Sequence, residues 1–467
     1  MNAASFSRRR FLQTAGMALT ALSLPTLAAR KPNVLVIFCD DLGYGDLGAF
    51  GHPTIRTPHL DRLIAEGQKW TGFYAAASVC TPSRAGLLTG RLPVRSGMCS
   101  DHRRVLFPDS AGGLPQSEIT IARALKNAGY ATACIGKWHL GHLPEYLPTR
   151  HGFDEYFGIP YSNDMDKTLD LTVKQQKEPK IEYYNVPLMR NDRIIERPAE
   201  QHTITQRYTE EALRFIERNK GRPWFVYLAH TMVHIPLFAS PQFEGTSTRG
   251  LYGDTIEEID AGVGKILRTL KKLKLEKDTL IVFTSDNGPW LLFEEHGGSG
   301  GLLRAGKGTT WEGGMRVPTL FYWPGKIQPA VVTDIGSTLD LFATITSVAG
   351  AETPRDRIMD SYDLTPTLFE GKPSPRREMF YYRGTQVYAA RLGAFKAHFI
   401  TENEYVADKQ RTEHNPPLLF NLDHDPGEQY EIGAEHPEVI SEITALVERH
   451  RAALIKGEDQ LRKRIGE

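Results

Sequence analysis

The sequence predicts an α/β fold, a large and mostly parallel sheet flanked by helices, with a smaller C-terminal α+β subdomain. Three observations predict it. Continuous β-branched and aromatic runs alternate with helical periodicity through most of the chain. Near residue 375 the texture changes to short alternating runs, as in antiparallel hairpins. Finally, 467 residues can bury roughly 75% of the unfolded surface, enough for one large core and a smaller one.

Residues 1–29 carry Arg8, Arg9 and Arg10, no acid, and an apolar run from Phe11 to Leu24. That run is about 14 residues, short of the ~20 of a spanning helix, so the composition reads as an export signal. Ser7-Arg8-Arg9-Arg10-Phe11-Leu12-Gln13 resembles the twin-arginine signal, whose pathway exports folded proteins. Gln13 stands where Lys is usual, and the small Ala28-Ala29 suits a signal peptidase. Removing 1–29 takes three positive charges from a balance of zero, leaving 438 residues at −3. The expected location is therefore periplasmic or secreted.

The main domain is expected over 30–372. Val34-Leu35-Val36-Ile37-Phe38 reads as a doubly covered parallel strand ending at Asp40-Asp41-Leu42-Gly43. The same form recurs at 131–136, at 224–228, and at 279–283 before Ser285-Asp286-Asn287-Gly288. Helical patterns at 119–128 and 254–273 fall between them. In such sheets ligands bind beyond the carboxyl ends of the strands, where each polar cluster lies. Residues 164–205 are polar and irregular and read as an excursion near the site. Pro373 and Pro375, beside Gly371 and Ser374, mark a linker. The C-terminal subdomain, 373–467, offers short strands at 378–383, 386–390, 394–400 and 418–422. A closing helix at 437–454 carries Ile440, Ile443, Leu446 and Val447 on one stripe.

Composition narrows the function. With 56 Lys+Arg against 56 Asp+Glu there is no basic excess of the kind a nucleic-acid binder uses. Four cysteines, Cys39, Cys80, Cys99 and Cys134, are too few for a disulfide scaffold. Cys39 and Cys134 lie in apolar runs and read as buried thiols.

Cys80-Thr81-Pro82-Ser83-Arg84 is the sharpest local signal: Cys with Pro at +2 and a base at +4 is expected by chance about 0.03 times in this composition. Asp40, Asp41, Asp286 and Asn287 offer hard oxygen ligands from two strand ends, a set suited to Ca²⁺ or Mg²⁺ rather than to zinc. Taken singly, each pair is a turn or a solvent-facing acid; only with the Cys motif do they read as metal ligands. Lys137 and His139, two apart at a strand end, point to one face if the chain is extended. Lys307 sits in a glycine-bounded loop suited to close approach, a clamp for developing negative charge. His234, before Ile235-Pro236, offers an imidazole that can serve as acid or base. Trp138 and Trp311 read as packing.

Together these motifs resemble the sulfatase family. The Cys80–Arg84 run continues Ala85-Gly86-Leu87-Leu88-Thr89-Gly90-Arg91. Further matches are Gly136-Lys137-Trp138-His139-Leu140-Gly141, His234-Ile235-Pro236, Asp286-Asn287-Gly288, and Gly306-Lys307-Gly308-Thr309-Thr310-Trp311-Glu312-Gly313-Gly314. Arg91-Leu92-Pro93-Val94-Arg95 and Gly158-Ile159-Pro160-Tyr161-Ser162 are most similar to the arylsulfatase A and N-acetylgalactosamine-sulfate sulfatase branch. The resemblance spans 32 to about 325 and loosens beyond 375.

It implies an alkaline phosphatase-like fold and hydrolysis of a sulfate monoester, aryl or sugar, to an alcohol and inorganic sulfate. It also implies that Cys80 is oxidised to formylglycine by a formylglycine-generating enzyme, which reads Pro82 and Ser83. One ion, Ca²⁺ with Mg²⁺ or Mn²⁺ as lesser alternatives, is expected on Asp40, Asp41, Cys80, Asp286 and Asn287. Arg84 steadies the site, Lys137 and Lys307 bind sulfate oxygens, and His139 takes the proton whose loss expels sulfate. His234 protonates the leaving oxygen, and Ser162 contacts substrate. An aldehyde hydrate makes chemical sense, because a thiolate on sulfur would form an adduct with no easy exit. Expected partners are the sulfate ester, the formylglycine-generating enzyme and the twin-arginine export machinery. Two other readings stand beside this one. One is a phosphonate or phosphodiester hydrolase of the same superfamily. The other is a non-catalytic, calcium-stabilised exported binding protein whose Cys80 stays a thiol or pairs with Cys99.

Overall fold

The computed structural model describes residues 30–403 and 410–467, so the expected export signal at 1–29 lies outside the described residues. Ten strands form the main sheet: β1 (Asn33–Cys39), β2 (Gln68–Tyr74), β3 (Ala131–Gly136), β4 (Glu155–Gly158), β5 (Leu188–Arg190), β6 (Arg193–Glu196), β7 (Trp224–Ala229), β8 (Thr279–Ser285), β9 (Thr319–Tyr322) and β10 (Ala330–Ser337). Their order is β10-β2-β9-β8-β1-β7-β3-β4-β5-β6. The run β8-β1-β7-β3-β4 is parallel throughout. β9 is antiparallel to both neighbours, and the β5–β6 hairpin continues the sheet antiparallel to β4.

Strand alternation sorts β1 between two cores. Leu35, Ile37 and Cys39 face helices Pro58–Glu66, Ile204–Arg218 and Leu251–Lys272. Val34, Val36 and Phe38 face Cys80–Thr89, Ile121–Asn127 and Asp340–Ala349. All five residues of the 34–38 run are fully buried, at roughly 1.5–3 kcal/mol for each large side chain. That double burial explains why the run is continuously apolar rather than alternating.

A second, antiparallel sheet follows, β11 (Glu378–Arg383), β12 (Gln386–Leu392), β13 (Phe395–Thr401) and β14 (Thr412–Asn421), in chain order. Helix Pro437–Ala452 buries Ile443 and Val447 in a core shared with Ala76, Leu92 and Leu339. The connecting segment is tied down: Ser374 N donates to Asp334 at 2.7 Å, and Arg376 pairs with Asp340 at 2.6 Å.

The strands expected from continuous apolar runs are the parallel centre of the sheet. β2, β5, β6, β9 and β10 carry no comparable run, being short or interrupted by polar residues. Part of the 164–205 excursion therefore belongs to the sheet, as β5 and β6. β14 starts at Thr412 rather than near 418. Pro416 and Pro417 argue against a strand, yet β14 lies at the edge of its sheet, where a missing N–H costs nothing.

Candidate active site

Because β8, β1, β7 and β3 are adjacent and parallel, their carboxyl ends open side by side. Short backbone links tie them together: Asp286 N to Cys39 O at 3.1 Å, Val233 N to Asp40 O at 2.9 Å, and Lys137 N to Ala229 O at 2.8 Å. Each strand delivers its polar cluster to one spot, the crevice expected of such a sheet.

Cys80 opens helix Cys80–Thr89 and is 2% exposed. Its thiol donates to Asp40 Oδ1 at 3.4 Å. Burial first, then the charge of Asp40, pushes the thiol well above its ordinary pKa. One turn on, Arg84 is fully buried. Its Nε and Nη2 donate to Asp286 Oδ2 at 3.1 and 2.9 Å, and Nη1 donates to Lys137 O at 2.9 Å.

Lys137 Nζ pairs with Asp40 and donates to Ser162 Oγ at 3.0 Å. His139 departs from the extended geometry expected of it. β3 ends at Gly136, whose φ is +114°, and His139 itself has φ +58°. A side chain at 136 would meet Ala229 O at 1.8 Å, so only glycine fits. The chain turns there, and His139 Nε2 donates to Leu106 O at 2.8 Å. Burial, then Lys137, pushes the imidazole well below its ordinary pKa. It is therefore neutral, with Nδ1 as a buried acceptor that has no partner. Thr81 Oγ1 donates to His139 O at 3.0 Å, tying this turn to the residue after Cys80.

The Lys307 loop is stapled on both sides. Lys307 N donates to Pro289 O at 2.9 Å and Gly308 N to Ser78 O at 2.8 Å. Lys307 Nζ lies 2.8 Å from Asp41, and Asn287 Nδ2 donates to Asp41 Oδ1 at 2.8 Å. His234 donates from Nδ1 to Ile235 O, leaving Nε2 facing Asp41 at 3.6 Å. Burial, then Lys307, lowers its pKa to about 3. The structure thus brings together all eleven residues singled out from sequence: Asp40, Asp41, Cys80, Arg84, Lys137, His139, Ser162, His234, Asp286, Asn287 and Lys307.

The oxygen donors of Asp40, Asp41, Asp286 and Asn287 suit a hard divalent cation. Donor atoms of Asp40, Asp41, Cys80 and His234 lie within 4.8 Å of one another. Asn287 Oδ1 is buried without a hydrogen-bond partner, a group that a cation would satisfy. Burial raises both Asp40 and Asp286, but Lys137 leads the cations that hold Asp40 well below the ordinary range. Asp286, burdened by burial and by the charge of Asp40, rises to about 7. Like charges this close divide their protons unequally. His234 was not read from sequence as a neighbour of the metal ligands, since nothing in its spacing ties it to Asp41.

Sequence reasoning also missed supporting residues. All four cysteines are free and buried, so the Cys80–Cys99 pairing is absent. Leu106, which orients His139 through its carbonyl, carries no side-chain signal. Lys396, Glu428 and His398, all buried, stand behind the Lys307 loop, and no motif in the sequence marks them. Trp138 and Trp311 pack as expected, Trp138 donating to Tyr146 O at 2.8 Å and Trp311 lying 4.2 Å from the His398 ring.

Residues 32–351 match the family model described as Sulfatase, and 374–465 match the C-terminal region of aryl-sulfatase. The chain is 42% identical to arylsulfatase A of Bos taurus over 474 residues, covering 94% of this chain and 92% of that one. It is 40% identical to N-acetylgalactosamine-6-sulfatase of Sus scrofa over 495 residues, covering 96% and 90%. Among solved structures it matches PsFucS1 sulfatase from Pseudoalteromonas sp. with a TM-score of 0.81 and 31% identity, covering 91% and 90%. Matched over most of its length in sequence and in fold, the chain belongs to the sulfatase family, as an arylsulfatase-like hydrolase.

Proposed function

We propose that the protein hydrolyses sulfate monoesters through a formylglycine made from Cys80 beside one bound calcium ion. The observation that carries this reading is the convergence on Cys80 of two anion clamps, two histidines and a hard-oxygen donor set. A hydrated aldehyde at position 80 supplies one hydroxyl to attack sulfur and a second whose deprotonation expels sulfate. Asp40, Asp41, Asp286, Asn287 and position 80 would hold the cation, which would supply positive charge to polarise sulfate oxygens.

The chain's own groups do the rest. Lys137 and Lys307 bind sulfate oxygens from two sides, and Ser162 helps to hold Lys137 in place. His139, neutral and with Nε2 committed to Leu106 O, takes a proton at Nδ1. His234, with Nδ1 donating to Ile235 O, turns Nε2 into the site; it gives a proton from Nε2 to the leaving oxygen as the imidazolium, the form that the negative charge of a bound sulfate ester favours. Arg84 holds Asp286 and Asp40 in register from beneath. In this reading maturation precedes export by the twin-arginine route, because the modifying enzyme acts on an unfolded chain and that route carries a folded one.

The test is the mass of the tryptic peptide containing Cys80, from protein co-expressed with a formylglycine-generating enzyme, with an aldehyde-reactive probe as control. A deficit of about 18 Da or capture by the probe is expected, together with turnover of aryl or sugar sulfates. Matured protein that turns over phosphodiesters or phosphonates in preference to sulfate esters defeats the reading. So does a plain thiol in protein that hydrolyses sulfate esters.

A further inference from the structure

Trp290 stands three residues beyond Asn287, against both groups that flank the bond to be broken. Its indole lies 5.4 Å from the His234 ring, tilted by 55°, and Lys307 Nζ sits 4.4 Å from its centroid. Phe293 backs it edge-on at 4.9 Å. His234 and Lys307 are each 3% exposed, whereas Trp290 is only half-buried. Of the three side chains, the indole is the one that reaches solvent most. Lys177 ties down the segment that carries Trp290 by pairing with Glu294 and, at 3.2 Å, with Glu295. Arg249 Nη1 holds the same turn through Glu295 O at 2.7 Å.

We propose that Trp290 is a specificity-determining platform on which the leaving alcohol lies, selecting a flat apolar face: an aryl ring or the C–H face of a pyranose. The inference rests on the proposed role of His234 as the acid toward the leaving oxygen. An indole is large and rigid, loses little conformational entropy on binding, and carries a negative face that attracts C–H edges. The lysine over the ring and the phenyl behind it fix its plane. Inorganic sulfate, which has no leaving group, engages the anion clamps alone.

The experiment compares wild type, Trp290→Ala, Trp290→Phe and Lys177→Gln, all matured at Cys80. It measures KM and kcat for 4-nitrophenyl sulfate and for a sulfated N-acetylhexosamine, and the inhibition constant of inorganic sulfate. Trp290→Ala is expected to raise KM about 2- to 10-fold for the ester whose alcohol stacks. The inhibition constant of sulfate should stay unchanged, Trp290→Phe should recover most of the loss, and Lys177→Gln should give a smaller shift in the same direction. A rise for the aryl ester alone or for the sugar ester alone supports the platform and identifies its occupant. Unchanged KM for both esters overturns the inference, and so does a parallel rise in the sulfate inhibition constant, which would place the effect on Lys307. Wild type that turns over neither ester defeats the sulfatase reading instead, so the two failures remain distinguishable.

Discussion

At the scale of single residues, the site is a balanced set of buried charges. Asp40, Asp41 and Asp286 face Arg84, Lys137 and Lys307, and none of the six is more than 3% exposed. Deleting any one leaves its partner charged in a low dielectric, typically a loss of about 3–5 kcal/mol, so charge-deleting variants confuse folding with catalysis. His139 avoids that difficulty because it is neutral. His139→Gln keeps an N–H for Leu106 O while removing the base. The expected outcome is a kcat about 10²- to 10⁴-fold lower with an unchanged melting temperature. Stopped-flow assay with an aryl sulfate should show one equivalent of phenol released per site in a burst before turnover stalls. Both the residue type and its place after β3 were legible from sequence. Its direction was not, because Gly136 adopts a positive φ that the spacing alone does not reveal.

At the scale of elements, the loop that presents Lys307 is held by the second sheet. Lys396 on β13 donates to Thr310 O at 2.8 Å and to Glu312 Oε1 at 2.9 Å, and lies 3.0 Å from Glu428. Glu428 also takes the Glu312 amide at 2.7 Å and His398 Nε2 at 2.6 Å. Tyr74 OH donates to Glu312 Oε2 at 2.6 Å. Burial raises the Glu312 carboxyl, but Lys396, then Arg316 and Arg391, overcome it and bring its pKa to about 2. A carboxyl lowered in the folded state contributes stability that is complete above its ordinary pKa near 4.5. That contribution is lost as pH falls through the folded value near 2. Thermal melts of wild type and Glu312→Gln should therefore differ most at neutral pH and converge between about pH 4.5 and 2. Lys396→Met, which strands two buried carboxylates, should cost about 3–5 kcal/mol in denaturant unfolding at pH 7.

At the scale of the whole molecule, a cation held as proposed would join β1, β8 and the Cys80 helix. Chelation is expected to abolish turnover of sulfate esters and to lower the melting temperature, with calcium restoring both better than magnesium. At calcium one hundred-fold above its dissociation constant, the linkage is worth about 2.7 kcal/mol, readable by calorimetry with and without chelator. Among the described residues no helix is long and apolar enough to cross a membrane. Replacing Arg8-Arg9 by a Lys pair is expected to leave active, modified enzyme in the cytoplasm. Cell fractionation followed by peptide mass reads this directly, and unmodified Cys80 in that fraction would contradict maturation before export.

The α/β class, the central parallel strands and the chemistry at their ends were all legible in the order of the residues. Continuous burial on both faces writes an apolar run into each central strand, and the reaction limits which side chains can stand beside Cys80. The antiparallel insertion of β9, the β5–β6 edge, the turn that aims His139, and the contact of Trp290 with His234 and Lys307 emerge only in the folded chain. It alone joined Lys396 to Glu312, 84 residues apart. Local periodicity reports whether a residue faces a core. Which distant residue it meets there depends on how strands are ordered and loops closed, and that is settled only when the whole chain packs.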